Sequence, residues 1–285
     1  MSQFFQTIEN TLTLVGYSIN FACRNKKLLI VPIIRAIAGI LVFALCLGAA
    51  IGMVGYFSEY YGWQPGENHK PGLYETLIGM AFLFVFVFLM AMVSTLGELV
   101  LSHAIGNIFR TGQASLKDAM VNGFKRFGRT VTWAGTHALI HMLALRENNS
   151  ILGSLLGDIF VLGWNLATLF IIPVFAFEQL GVYASIKRSA EVFENHFGKA
   201  MVAEFSFGRL SLLLALVPLV FLPIAFYFNI VPIFAGLYVL FLVVASAFVS
   251  LAHAIFTTAL YFYATGESTG SFDTRILEQS FAQKK

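Results

Sequence analysis

Residues 81–92 read Ala-Phe-Leu-Phe-Val-Phe-Val-Phe-Leu-Met-Ala-Met, twelve apolar side chains in a row without a charge. The apolar character begins near Leu73, and a helical continuation reaches Arg110. A helix needs about 20 such residues to cross a hydrocarbon core roughly 30 Å thick, and this segment exceeds that length. The rest of the chain is of the same kind. Of its 285 residues 58% are apolar and 12% charged, with a mean hydropathy of +0.78. A soluble domain carries about 25% charged residues. Thirty Phe and 24 Gly suit a bundle that faces lipid outside and packs closely inside.

Working outward from that segment, Leu28 to Phe57 reads as a span before it, with Arg35 as its one charge and a polar Gly/Pro-rich loop, 58–72, between the two. After it come a short candidate at Thr130–Leu145, a polar cluster at Arg146–Ser150, and spans at Ile151–Phe177, Ala200–Phe228 and Ile230–Tyr263. Lys and Arg fix the orientation. Fourteen fall in the connections that hold Lys27, Lys117, Lys187 and the C-terminus, and only Lys70 and Arg146 in the opposite ones. Six spans with both ends cytoplasmic satisfy that asymmetry, whereas an odd number would put basic clusters on both sides. Met1–Asn25 has no basic stretch followed by an apolar core and cleavage site, so no cleaved signal is expected. Cys23 and Cys46 form neither a disulfide framework nor a metal spacing.

The basic connections carry helical periodicity of their own. Leu116, Met120, Phe124 and Phe127 form one stripe; Val182, Ile186, Phe193 and Phe197 form another; Phe5, Ile8, Leu12, Val15 and Ile19 form a third. Each predicts an amphipathic helix in the cytoplasmic interface, an elbow leading into the next span. Two elbows match without a gap: Ser115-Leu-Lys117 and Ser185-Ile-Lys187 are each followed, ten residues after the lysine, by Phe-Gly-basic. Leu101-Ser-His103-Ala-Ile105 also echoes Leu251-Ala-His253-Ala-Ile255. The expected fold is therefore an all-α integral membrane protein of about six transmembrane helices, in three parallel elbow-plus-hairpin repeats. Residues 1–264 form one membrane domain, with repeat units of about 1–110, 111–180 and 181–264, and 265–285 is a polar tail.

The stretch Ile172-Pro173-Val-Phe-Ala-Phe177-Glu178-Gln-Leu-Gly181, with Ser185-Ile-Lys187-Arg188-Ser189 and His196-Phe-Gly198-Lys199-Ala, resembles an uncharacterised family of bacterial multi-pass membrane proteins. That family is similar to the membrane domain attached to some glycerophosphodiester phosphodiesterases. The resemblance implies a bacterial inner-membrane protein and brings no catalytic residues, because the catalytic barrel of such fusions is a separate soluble domain with no counterpart here.

Charge inside a bilayer is costly, so each intramembrane charge is a candidate. Arg35, Asp158, Glu204 and Arg209, with Asn165 helping, would line a polar pathway or form buried ion pairs that lock the helices. His137 and His141 share a helical face at the spacing of helical zinc motifs, but the glutamate of those motifs is missing. A packed or hydrogen-bonded role suits them better than a metal. Lys117, Lys125, Arg126, Lys187 and Arg188 suit anionic lipid headgroups. Phosphate-cradling glycine loops, nucleophile elbows and nucleic-acid surfaces are not found, and no cofactor is implied. The expected function is a non-enzymatic channel or transporter for an ion, small solute or lipid. The alternative is a scaffold or lipid-binding accessory protein. Membrane lipids are the expected partners, together with further copies of the chain in a homo-oligomer.

Overall fold

The computed structural model describes residues 16–61, 72–144, 160–195, 210–227 and 231–270. Every regular element among them is helical. Helix α1 covers residues 16–24 and passes through a 3-10 turn, Lys26–Leu29, into α2, Ile30–Tyr61. Then follow α3 (Leu73–Thr111), α4 (Leu116–Phe124) and α5 (Phe127–Ala144). Helices α6 (residues 160–167) and α7 (Ile171–Phe177) form one interrupted rod that leads to α8, Val182–Asn195. Helix α9 covers residues 210–216, a 3-10 turn Val217–Phe221 joins it to α10 (Leu222–Tyr227), and α11 is Val231–Ala264.

Four of these segments are long and apolar enough to cross a membrane: Lys26–Tyr60, Leu73–Thr111, Phe160–Phe177 and Val231–Ala264. The chain is thus a multi-pass membrane protein. Helix α5 is not among the four, since Arg129, Thr130, Thr132, Thr136, His137 and His141 dilute its apolar content. Residues 210–221 make a shorter apolar helix, and the start of the span expected from Ala200 lies outside the described residues.

The interruption between α6 and α7 has a local cause. Pro173 lacks an N–H, and its ring clashes with the carbonyl four residues earlier, that of Leu169. The helix opens into a turn at residues 168–170, and the N–H of Phe170 finds the Ser189 hydroxyl of α8 at 3.0 Å instead. The break therefore pins α8 to the rod.

Packing is unequal along the long helices. The second half of α3, Leu99–Phe109, and the second half of α11, Ala247–Phe262, are buried together. Their sequence-related segments around Leu101–Ile105 and Leu251–Ile255 lie in this same core, and Thr258 donates to Ser102 across it at 3.2 Å. Phe177 closes the core over Gly106, where an added Cβ would come 2.5 Å from its ring. By contrast, the other ends of α2, α3 and α11 expose Leu41, Leu45, Ile51, Leu77, Ile233 and Leu237. A face this apolar and this exposed needs lipid, not water, around it.

The elbow helices use their apolar stripes in opposite ways. Helix α4 starts at Ser115, whose side chain accepts the Asp118 N–H, and packs Ala119 and Gly123 on α3, with Gly123 against Val100. That leaves Met120, Phe124 and Phe127 exposed, as an interfacial helix requires. Helix α8 instead turns Ser185, Ser189, Val192 and Phe193 into the protein. Phe193 thus belongs to the core and not to a lipid boundary. Of the third stripe only Ile19 is described, partly buried against the core; Phe5, Ile8, Leu12 and Val15 lie outside the described residues, as does Phe197.

Candidate functional site

Arg35 extends from the first third of α2 toward α3 and α11. Its Nη1 donates to Glu98 Oε1 at 2.8 Å, and its Nη2 donates to Ser250 Oγ at 2.7 Å. Ser94, one turn before Glu98, donates to the same carboxylate oxygen at 3.3 Å. Gly97 makes the approach possible: a Cβ there would fall 2.7 Å from Arg35 Cδ, so the arginine stem lies across a bare stretch of α3. Three helices are joined at this point by one side chain. The pair is shielded but not sealed, with side-chain exposures of 21% for Arg35 and 34% for Glu98.

Beside the pair lies a cavity of about 650 Å³. One face of α2 lines it (Pro32, Arg35, Ala36, Gly39, Ile40 and Phe43), and α3 adds Met90, Val93 and Ser94. Helix α9 adds Ser211, Leu214 and Ala215, and α11 the stretch from Val239 to Val249. Tyr238 fixes the far wall by donating to the Ala215 carbonyl at 2.8 Å. Arg35, Ser94 and Ser246 line the cavity near the ion pair, Ile40, Phe43, Val239 and Leu242 line it further along their helices, and Ser211 adds a hydroxyl from α9. The volume is within the 300–1,000 Å³ usual for small-molecule sites.

The other residues expected in a polar pathway do not join this site. Asp158, Glu204 and Arg209 lie outside the described residues. Asn165, on α6, is exposed and lines no part of the cavity. Glu98 is the residue that sequence reasoning passed over. It is a carboxylate in an otherwise apolar segment, the same signal that marked Arg35.

His137 and His141 do come together, their rings 4.3 Å apart beside Trp133, which stacks on Trp164 at 5.7 Å. Among the described residues no third His, Cys, Asp or Glu completes a metal-binding group. His137 Nδ1, His141 Nε2 and Trp164 Nε1 are buried without a hydrogen-bond partner.

The basic residues separate into three environments. Lys117 and Lys187 are exposed on the helix surfaces. Arg188 binds Glu178 at 3.1 Å, and that carboxylate also accepts from Tyr261 at 2.6 Å, so α8, the α7 end and α11 are tied by one ionic knot. The hydrogen bond to Glu178 raises the pKa of Arg188 further above its ordinary value. Lys125 and Arg126 face a second cavity together with Arg129.

With this geometry in hand, the class is a helical multi-pass membrane protein with an ion pair at the wall of an apolar cavity. Its sequence from 77 to 272 matches the family of unknown function DUF6159, and the chain belongs to that family. The match takes in Glu98, Ser250 and the α4–α8 region and begins after Arg35. No curated protein and no solved structure matches the chain.

Proposed function

We propose that this chain is a non-enzymatic, lipid-binding protein of the bacterial inner membrane, and that the cavity beside Arg35 holds an acyl chain of a cytoplasmic-leaflet lipid or a similar amphiphile. One observation carries the reading: the cavity is lined almost wholly by apolar side chains and has its one charged group, Arg35, at the ion pair. Tyr56, Tyr60, Tyr74 and Tyr227 are exposed near the helix ends opposite the core, where aromatic residues mark a membrane interface. About 20 residues inward from those ends is one hydrocarbon thickness, which on α2, α3 and α11 reaches the neighbourhood of Ala36, Ser94 and Leu251. Arg35, Glu98 and Ser250 then sit at the cytoplasmic edge of the hydrocarbon, where their charge is affordable. From Arg35 the cavity rises toward Phe43, about 12 Å into the apolar layer at 1.5 Å per residue.

On this register the second halves of α3 and α11 reach beyond the bilayer and form a packed cytoplasmic base. Helix α3 has 39 residues, about 58 Å, well over the bilayer thickness. Six crossings with both ends cytoplasmic accommodate the basic clusters, with α5 and the segment around 210–227 as the two less apolar or shorter ones. The resemblance of residues 172–200 to bacterial multi-pass proteins supports the inner membrane. The Arg35–Glu98 pair is neutral overall, which favours an uncharged or zwitterionic polar end held by hydrogen bonds. A charge-lined ion path would need its cation free, so pairing weighs toward lipid binding over the channel or transporter.

Filling the cavity tests this. Ala36→Trp and Ala215→Trp should abolish a tightly retained lipid seen by native mass spectrometry of the wild-type chain, while the fold persists by circular dichroism. Unchanged lipid stoichiometry in both folded variants would refute the reading. Ion or solute flux through wild-type liposomes, with no retained lipid, would restore transport.

A further inference from the structure

We infer that the cavity formed by Lys125, Arg126 and Arg129 with Asn122 and Gln179 is a phosphate-binding site on the cytoplasmic face, built to take the phosphate of a membrane-lipid headgroup. The site is independent of the Arg35 cavity and rests on different helices. It lies between the end of α4, the start of α5 and the 178–181 turn, and has a volume of about 620 Å³.

Three cations converge there for structural reasons. Lys125 and Arg126 form the short joint between α4 and α5, and Arg129, in the first turn of α5, lines the same cavity. Arg129 is held in place by the facing turn: its Nη1 donates to the carbonyls of Glu178 and Leu180 at 3.0 and 3.2 Å. Arg126 is braced by the end of α4, its Nη1 donating to the Asn122 carbonyl at 3.0 Å. Its Nε is buried and has no hydrogen-bond partner. Burial and then the nearby Arg129 lower the pKa of Arg126.

A counter-charge is what the site lacks. Two other arginines have a carboxylate: Arg110 binds Glu267 at 2.6 Å and Arg188 binds Glu178 at 3.1 Å. Among the described residues no carboxylate lies within 4 Å of Lys125, Arg126 or Arg129, and no acidic residue lines the cavity. A guanidinium pair and an ammonium around a polar hollow match the geometry and charge of a phosphate, which accepts several charge-assisted hydrogen bonds at once. The source is indicated by the flank. Phe124 and Phe127, adjacent in sequence to Lys125 and Arg126, are 56% and 44% exposed, so the joint that carries the cations also carries apolar surface for acyl chains. A site for free phosphate has no use for that apolar surface.

The test uses the full chain reconstituted in phosphatidylcholine nanodiscs, titrated with phosphatidic acid in one arm and inorganic phosphate in the other. Phosphatidic acid should bind saturably, and Lys125→Gln/Arg126→Gln should weaken it by about tenfold or more, the loss expected from charge-assisted hydrogen bonds. Lys117→Gln/Lys187→Gln removes the same charge from the same face outside the cavity and should leave the affinity within about twofold. Gln179→Glu, at an exposed rim position, should weaken binding without altering any cation, which covers the case in which the double variant fails to fold. Saturable inorganic phosphate binding with no response to phosphatidic acid would overturn the lipid source while supporting the phosphate site. Equal losses in the two double variants, or no loss in Gln179→Glu, would overturn the site itself.

Discussion

Removing Arg35 gives the sharpest prediction from the packing. Arg35→Met keeps most of the stem that lies over Gly97 but deletes the bonds to Glu98 and Ser250, 2.8 and 2.7 Å long. It leaves the Glu98 carboxylate with the Ser94 hydroxyl at 3.3 Å. A hydrogen bond to a charged group contributes about 1.5–3 kcal/mol, and breaking a fully buried ion pair costs about 3–5 kcal/mol. The exposures of 21% and 34% keep this pair below the buried limit, so a loss of about 2 kcal/mol is expected. Glu98→Gln alone leaves Arg35 uncompensated and should cost a similar amount. The double variant Arg35→Met/Glu98→Gln removes both charges and should recover at least about 1 kcal/mol relative to the sum of the single losses. Thermal unfolding in detergent, read by intrinsic fluorescence, measures all three on one scale. Additive losses in the double variant would show that the pair contributes no coupling, and the locking role assigned to Arg35 would be wrong.

Cysteine labelling of a chain stripped of Cys23 and Cys46 should modify residue 64 only from outside the cell and residues 117 and 187 only from the cytoplasm; outside labelling of residue 187 would reverse the proposed topology. The two elbow helices should respond differently to truncation of their phenylalanines. Phe193→Ala removes a buried ring and should cost about 3–5 kcal/mol, whereas Phe124→Ala, half exposed, should cost less than about 1 kcal/mol in detergent. Equal losses in thermal unfolding would mean that both stripes are buried alike.

Much of the architecture is written in the sequence because it is local. Apolar runs of span length mark α2, α3 and α11 directly, since a helix that satisfies its own backbone is the form such a run takes in lipid. The break before α7 is not part of that reading, which takes Ile151–Phe177 as one span, although its cause, the missing donor of Pro173, is local. Helical periodicity locates the apolar stripe of each elbow. It does not say what covers the stripe. Phe124 faces outward while Phe193 faces the core: α4 meets α3 through the small Ala119 and Gly123, whereas α8 turns Ser189, Val192 and Phe193 inward and is tied to the rod by Ser189 and Glu178.

Partner choice is likewise a matter of tertiary structure alone. Arg35 finds Glu98 63 residues away and Ser250 215 residues away, and no spacing rule connects such positions. The basic residues near α4 and α8 look alike in sequence. Folding neutralises Arg188 with Glu178, leaves Lys117 and Lys187 in the open, and brings Arg129 beside Lys125 and Arg126 through two carbonyls of the 178–181 turn. Sequence sets which side chains are charged and which helix face carries them. Which charges meet a partner and which are left to bind something else depends on the close approach of segments far apart in the chain.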